Sequence, residues 1–328
     1  MPLRVSIIGL AAVAVVVLAG CGHPAAPVAG GGPAAPRPVA PGALAPGAEA
    51  PIPMGTVAQL PEAHPARTTP SPHPIPAATP ACPYPASGFD CRMQQRLAAA
   101  DAYQRSRPGV TGIVVRDRQT GAVWRNGYAG TLIWTASTIK LAMAVDLFLR
   151  DRAHTITLSA ADRDLIARML HSSDDNAADT LWFRYAGADH LAFNRAFPRY
   201  GMTSLVPQRG FTEYYPYWGF QKCTANDLDR LINYVLTALP GDLRGYLVGQ
   251  LRAVAPNQQW GVWGAGPANL PGNKDGWSLE QGGWVMNSVG FVGPGQRYTL
   301  AMMNSLRGQG GYDDGRLTDT HIAALLFG

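Results

Sequence analysis

The sequence predicts an α+β domain in which both ends of the folded part contribute strands to one antiparallel sheet, flanked by helices, and the middle forms an all-helical lobe. Residues 110–128 alternate apolar and polar side chains on either side of a polar turn, which is the pattern of a β-hairpin. Strand patterns return near the end of the chain, at residues 283–293 and 297–305. The segments between them follow helical spacing, so we expect the first and last strands to share a sheet.

Each helix is predicted from the same apolar spacing. The first is expected at residues 92–105. The second, at residues 137–152, is apolar on nearly every side through its middle, which indicates a central, buried position. Further helices are predicted at residues 160–171, 177–185, 225–238, 243–254 and 318–326.

Only residues 81–328 have the composition of a folded domain. The whole chain of 328 residues is 47% hydrophobic and 15% charged, which excludes a wholly disordered chain. However, 16 of its 28 prolines lie in residues 22–80, where aromatic residues are absent. This stretch cannot bury enough apolar surface to offset its ordering entropy. We therefore expect residues 21–80 to form a disordered, Pro/Ala/Gly-rich tether.

Residues 1–20 are predicted to be a lipoprotein signal peptide. One early positive charge, Arg4, precedes an apolar run that is too short for a comfortable membrane span. The run ends in Leu-Ala-Gly before Cys21, which resembles the bacterial signal in which cleavage precedes a lipidated cysteine. An ordinary signal peptide or a short anchor helix is the alternative. Lipidation of Cys21 would anchor the domain at the extracytoplasmic face of the cell membrane.

Three cysteines remain for the folded part. Cys82 with Cys91 would close a short loop where the domain begins, and Cys91 with Cys223 is the main competing pair. No CxxC or Cys/His spacing supports a metal site, so we expect neither a metal nor a cofactor.

The charge balance argues against nucleic acid as a partner. Residues 81–328 hold 24 Lys plus Arg against 20 Asp plus Glu, without a basic cluster interleaved with aromatic residues. The chain has 24 arginines but only three lysines, Lys140, Lys222 and Lys274. A position that keeps lysine in so arginine-rich a chain is a candidate for chemistry that requires an amine able to lose its proton.

Ser137 and Lys140 form an S-x-x-K motif at the start of the predicted buried helix. Residues three apart lie on one helix face, so the hydroxyl and the amine can point into the same space. Burial disfavours the ammonium form, which would let a neutral Lys140 amine take the serine proton. The helix N-terminus adds main-chain donors where an oxyanion develops. The motif therefore predicts Ser137 as nucleophile and Lys140 as its base.

Two further segments, residues 169–178 and 273–277, follow this motif in order. Together the three resemble the motifs of the penicillin-recognising serine enzymes, the superfamily of serine β-lactamases and D-Ala-D-Ala peptidases, with a layout closest to class A β-lactamases. The resemblance covers nearly all of residues 105–328. It implies a β-lactamase/transpeptidase-like fold and a peptidoglycan-like or β-lactam-like substrate.

The second motif departs from the family pattern. In that family its serine relays protons and its asparagine helps to hold the substrate amide. A gapless alignment puts Asp174 in the serine position and Asn176 in the asparagine position, with Ser173 one residue out of register. A carboxylate can accept hydrogen bonds from Lys140 and Lys274 but is a poor proton donor. The alternative is that this segment simply caps a helix.

The third motif keeps Lys274 and Gly276 as substrate-binding positions, but Asp275 replaces the usual threonine or serine. That hydroxyl normally binds the substrate carboxylate, and an anionic side chain would repel it by about 1–4 kcal/mol at ~4 Å. This predicts poor penicillin turnover. Ser278, or an Asp275 that is paired to Lys274 and turned away, would soften the repulsion.

Class A enzymes also use a glutamate between the second and third motifs to direct the deacylating water. The folded part contains two glutamates, Glu213 and Glu280, and Glu213 lies in that interval. The surrounding loop lacks the family's E-x-x-L-N pattern, so an ordinary exposed loop residue is the alternative to a deacylation base.

Two functions remain from these residues. The first is a lipid-anchored serine hydrolase of the cell envelope that acts through an acyl-serine on a peptide or lactam substrate, with Asn176 and Lys274 positioning it. The second is a catalytically degenerate lipoprotein that serves as a cell-wall binding or scaffold module. The complete first motif favours the enzyme, and the two altered motifs favour the module.

Overall fold

The computed structural model describes residues 82–209 and 218–328. The predicted signal peptide, Cys21, the predicted tether and Glu213 lie outside the described residues.

A five-stranded antiparallel sheet combines strands from both ends of the folded part, in the order β2-β1-β8-β7-β6. Its strands are β1 (Val110–Asp117), β2 (Val123–Arg125), β6 (Gly272–Glu280), β7 (Gly283–Val292) and β8 (Tyr298–Ser305). The pairing of β1 with β8 aligns Val114 with Ala301, so the beginning and the end of the domain meet at the centre of the sheet. The predicted α+β architecture is confirmed.

A smaller sheet of three short strands, in the order β3-β5-β4, lies outside the main one. Its strands are β3 (Ile133–Trp134), β4 (Val206–Pro207) and β5 (Gln221–Cys223).

Eight α-helices are present in the described residues. They are α1 (Cys91–Arg105), α2 (Ile139–Arg152), α3 (Ala160–His171), α4 (Asp175–Tyr185), α5 (Ala192–Ala196), α6 (Ala225–Thr237), α7 (Gly241–Arg252) and α8 (Tyr312–Phe327). Helices α3 and α6 begin with capping boxes, formed by Ser159 with Asp162 and by Thr224 with Asp227. These local signals explain why both helices begin at the residues that the sequence predicts.

The two faces of the sheet are covered by different helices. Successive residues of a strand point to opposite faces, so Ile113 and Val115 pack in one core with Leu97 of α1 and Ile322 of α8. Val114 lies in the other core, which also contains the middle of α2 and the apolar faces of α3, α4 and α6. Helix α2 is buried from Ile139 to Phe148, as its nearly all-round apolar character predicts.

Strand β6 and the start of α8 differ from the sequence expectation. The first half of β6 reads Gly-Asn-Lys-Asp-Gly, residue types that strands disfavour, and it is held in place by pairing along its whole length with β7. Helix α8 begins at Tyr312, six residues before the predicted start, because its first turn is polar and therefore lacks the apolar spacing. Asp314 supports that turn by accepting a hydrogen bond from the Gly311 main-chain N–H.

A disulfide joins Cys82 to Cys91, with the two Cα atoms 4.9 Å apart, at the start of the domain. Cys223, the partner in the competing pair, is a buried free thiol in β5.

Asp319 is a fully buried acid on α8. Asn304 Nδ2 donates a 3.0 Å hydrogen bond to its Oδ1. Asp319 Oδ2 and Asn304 Oδ1 have no hydrogen-bond partner among the described residues. Burial raises the pKa of Asp319 well above its usual range, because the charged carboxylate would lie in a site shielded from solvent.

The Asp319→Asn variant is expected to have a larger free energy of unfolding than the wild type. This difference in stability should grow between pH 4.5 and pH 8. A raised folded-state pKa means that unfolding releases a proton above the unfolded value of about 3.9, so wild-type stability falls as the pH rises toward the folded pKa. The amide keeps the shape and cannot ionise. Urea denaturation at three pH values should show a larger gain at pH 8 than at pH 4.5. The exposed Asp242→Asn control should show no such growth, and a pH-independent difference for Asp319→Asn would refute the assignment.

Candidate active site

Ser137 lies at the N-terminal end of the central helix. A 3-10 turn at Ala136–Thr138 leads directly into α2, and the Ser137 residue is 8% exposed. Ala136 has a φ of 44°, in the left-handed region that residues with a Cβ rarely adopt. Such backbone strain is common beside reactive groups, where the surrounding structure holds it in place.

The Lys140 amine is fully buried and is hydrogen-bonded to residues of the second motif. Its Nζ donates to the Ser173 carbonyl oxygen at 2.7 Å and to Asp175 Oδ1 at 2.5 Å. The Trp218 ring centroid lies 4.3 Å from the same nitrogen. Burial lowers the pKa of Lys140, and the neighbouring Asp175 carboxylate partly opposes that shift.

The Ser173 hydroxyl lies between the two buried lysines. Lys274 Nζ donates to Ser173 Oγ at 2.8 Å, and Lys140 Nζ lies 3.5 Å from the same oxygen. Ser173 has a φ of 61° in the loop before α4, which turns its side chain toward the lysines. This hydroxyl can pass a proton between the two amines, which is the task expected of the second-motif serine.

The predicted register of the second motif is therefore corrected by one residue. Asp174 is the N-cap of α4 and accepts a 3.0 Å hydrogen bond from the Ala177 main-chain N–H, while Asp175 contacts Lys140. Asn176 follows Asp175 on the first turn of α4, where it is exposed. The cap preference of aspartate could have revealed this, because a cap at Asp174 leaves Ser173 as the last residue of the loop.

Lys274 and Asp275 point to opposite faces of β6, as neighbouring strand residues must. The fully buried Lys274 amine donates to Ser173 Oγ and to the Asp275 main-chain oxygen at 2.7 Å. The Asp275 carboxyl lies on the other face beside Ser288 and Asn273, where burial raises its pKa. The prediction that Asp275 repels a substrate carboxylate is therefore corrected, because the Asp275 side chain is turned away from Ser137.

Gly276 brings the β6 main chain against the turn that carries Ser137. A Cβ at this position would lie 2.7 Å from the Ser137 main-chain nitrogen and 2.6 Å from that of Thr138. Only glycine permits this approach. Main-chain N–H groups of the turn and of β6 can therefore lie around one substrate oxygen, the arrangement that stabilises an oxyanion.

The turn that carries Ser137 and the end of β6 border a cleft of about 260 Å³. Its lining consists of Ala136, Ser137, Asp175, Trp218, Gly219, Phe220, Trp277, Ser278 and Glu280. Sequence motifs did not indicate Trp218, which reaches the cleft through contacts distant in sequence, whereas Glu280 lies at the end of β6, the strand that carries the third motif. Ser278 shares the strand face of Lys274, and its buried Oγ has no hydrogen-bond partner among the described residues.

Within the part of the chain that the structure describes, no three His, Cys, Asp or Glu side chains cluster so that they could hold a metal ion. In residues 82–209 and 218–328, no helix combines the length and hydrophobicity that a membrane span requires.

No protein-family model matches the sequence. Among curated proteins, the chain is similar to the protein named "Putative lipoprotein LppW" of Mycobacterium tuberculosis and Mycobacterium bovis, with 30% identity over 200 residues. The match covers 58% of this chain and 61% of the relatives, so it extends over less than two thirds of their length.

Solved structures show closer agreement in shape than in sequence. A β-lactamase from Xanthomonas campestris superposes with a TM-score of 0.61 at 16% identity, over 72% of this chain and 97% of that one. A structure named PBP-A gives a TM-score of 0.58 at 18% identity, over 71% of this chain and 94% of that one. An ancestral class A β-lactamase gives 0.58 at 17% identity, over 71% and 98%. The chain therefore has a β-lactamase-like fold.

Proposed function

We propose that this protein is a lipid-anchored serine hydrolase of the cell envelope that acts through an acyl-Ser137 intermediate on a peptide-like or lactam substrate. The observation that carries the proposal is the cluster of two fully buried lysine amines around the Ser173 hydroxyl, beside a cleft that contains Ser137. Burying two amines is costly, so a chain that keeps both is expected to use them. The lipoprotein part rests on the sequence around Cys21 and on the name of the mycobacterial relatives.

The proposed reaction begins with transfer of the Ser137 proton to the neutral Lys140 amine. Ser137 Oγ then forms a bond to the substrate carbonyl carbon, and the oxyanion is held by main-chain N–H groups of the turn and of β6. The intermediate collapses when the bond to the leaving group breaks, and that group takes a proton through Ser173. Water then cleaves the acyl ester, which releases the acid and restores the Ser137 hydroxyl.

One observation favours the alternative function, a non-catalytic cell-wall binding module. Asp175 stands where its carboxylate forms an ion pair with Lys140, and an ion pair favours the ammonium form that cannot accept a proton. Desolvation acts in the opposite direction and is the larger effect on the pKa of Lys140. This balance supports the enzyme over the module.

Intact-mass measurement tests the proposal. After exposure to a penicillin, a cephalosporin and an activated ester, the wild-type protein is expected to gain the mass of at least one acyl group. The Ser137→Ala variant is expected to gain none, because the nucleophile is absent. An adduct on both proteins, or on neither with any of the three donors, would favour the binding module.

A further inference from the structure

The cleft beside Ser137 is acidic. Its ionisable lining residues are Asp175 and Glu280, and among the described residues no lysine or arginine lines it. Lys140 and Lys274 lie behind the wall and are fully buried. Asp175 forms an ion pair with Lys140, and the Asp175 side chain is nevertheless 70% exposed.

The same cleft is aromatic, and its rings are held in place from behind. Trp218 Nε1 donates a 2.6 Å hydrogen bond to Asp179. The Phe220 ring packs against the Trp134 ring with the centroids 5.3 Å apart, whereas the Trp277 ring packs against Trp260 on the Asp275 face of β6. Fixed aromatic faces beside carboxylates attract cations by both the ring quadrupole and the negative charge.

The buried amine on this strand face that could pair with a substrate carboxylate is engaged elsewhere. The Lys274 amine donates to Ser173 Oγ and to the Asp275 carbonyl, and Asp275 faces the opposite side of β6. Ser278 Oγ is the free polar group on this strand face, and a neutral hydroxyl adds no positive charge. An anionic group in the cleft would instead face Asp175 and Glu280.

A neighbouring cleft on the other side of Glu280 contains basic residues. Glu280 also lines this second cleft of about 240 Å³, which contains Lys222 and Arg307. The two clefts therefore differ in the charge they favour, and the acidic one is the one that contains Ser137.

We propose that the Ser137 cleft selects acyl donors that carry a positively charged amine close to the scissile carbonyl, such as a peptide with a cationic side chain, over donors with a carboxylate there. This inference rests on the proposed function, because it names the substrate class of the same site. Glu280 acts as a specificity-determining residue.

Three nitrophenyl esters of matched size test the preference: 4-(trimethylammonio)butyrate, its neutral 5,5-dimethylhexanoate analogue, and the glutarate monoester. Acylation is followed by nitrophenolate release and by intact mass. The wild type is expected to react at least about tenfold faster with the cationic ester than with the anionic one, because each cleft carboxylate attracts the cationic group and repels the anionic one. Glu280→Gln should reduce that ratio about threefold or more. The Asp242→Asn control, an exposed acid paired with Arg152 on the helical lobe, should leave it unchanged.

Equal rates for the three esters, or a ratio that Glu280→Gln does not alter, would overturn the inference while leaving the acyl-serine proposal intact. A second measurement covers the case in which no ester acylates Ser137. The unreactive N-methylamides of the same three acyl groups are titrated into the Ser137→Ala protein, with tryptophan fluorescence as the readout. Tighter binding of the cationic amide that is weakened by Glu280→Gln supports the inference without catalysis. Equal binding of all three amides would refute it.

Discussion

Replacement of Lys140 by arginine is expected to slow acylation of Ser137 by roughly 10²–10⁴-fold, the usual contribution of a general base. Arginine keeps the positive charge, but its guanidinium cannot give up a proton near neutral pH. Lysine can, and burial lowers the pKa of Lys140 toward the range in which the amine is neutral. The rate of adduct formation with an activated ester measures the effect, and circular dichroism with thermal unfolding shows whether the variant is folded.

A companion variant separates the base from its carboxylate partner. Asp175→Asn keeps the Lys140 amine but removes the charge that raises its pKa. A lower pKa leaves more neutral amine at a given pH, so the rise of the acylation rate with pH should move to lower pH. A folded Lys140→Arg protein that acylates at the wild-type rate, or an Asp175→Asn profile that moves to higher pH, would show that Lys140 is not the base.

Much of the fold could be predicted because its signals are local. The buried character of α2 follows from apolar residues on nearly every side of the helix, and the first hairpin follows from alternation around a turn. Strand β6 is different, because its polar and glycine residues have low strand propensity and adopt the extended conformation through pairing with β7. The part of the sheet that carries Lys274 was therefore visible as a motif and not as a strand.

The site was predictable only where one helix or one strand carries it. Ser137 and Lys140 share a helix start, and Lys274 and Gly276 share a strand. The second motif lies in a loop, where a one-residue shift exchanges the residue that meets the lysines for the one that caps α4. Spacing alone cannot decide such a shift. Trp218 reaches Lys140 across 78 positions of sequence, and no local pattern records that contact.

The Gly276→Ala variant is expected to lose about 100-fold or more in acylation rate and to unfold with about 1–3 kcal/mol less free energy. The added Cβ would lie 2.6 and 2.7 Å from the Thr138 and Ser137 main-chain nitrogens, closer than real Cβ atoms approach. Main-chain atoms on both sides cannot rotate out of the way. The turn and β6 must therefore separate, which enlarges the space intended for the oxyanion and weakens its main-chain donors.

A matched glycine distinguishes this steric effect from the general effect of adding a methyl group. Gly249 lies in the C-terminal half of α7, and a Cβ there would meet nothing within 4 Å. Gly249→Ala should therefore keep the wild-type acylation rate and gain about 0.5–1 kcal/mol, because alanine suits a helix interior better than glycine. Acylation rates and urea denaturation are measured for both variants. If Gly276→Ala behaves like Gly249→Ala, the main-chain contact between β6 and the Ser137 turn does not form the oxyanion site, and the donors must come from another part of the cleft.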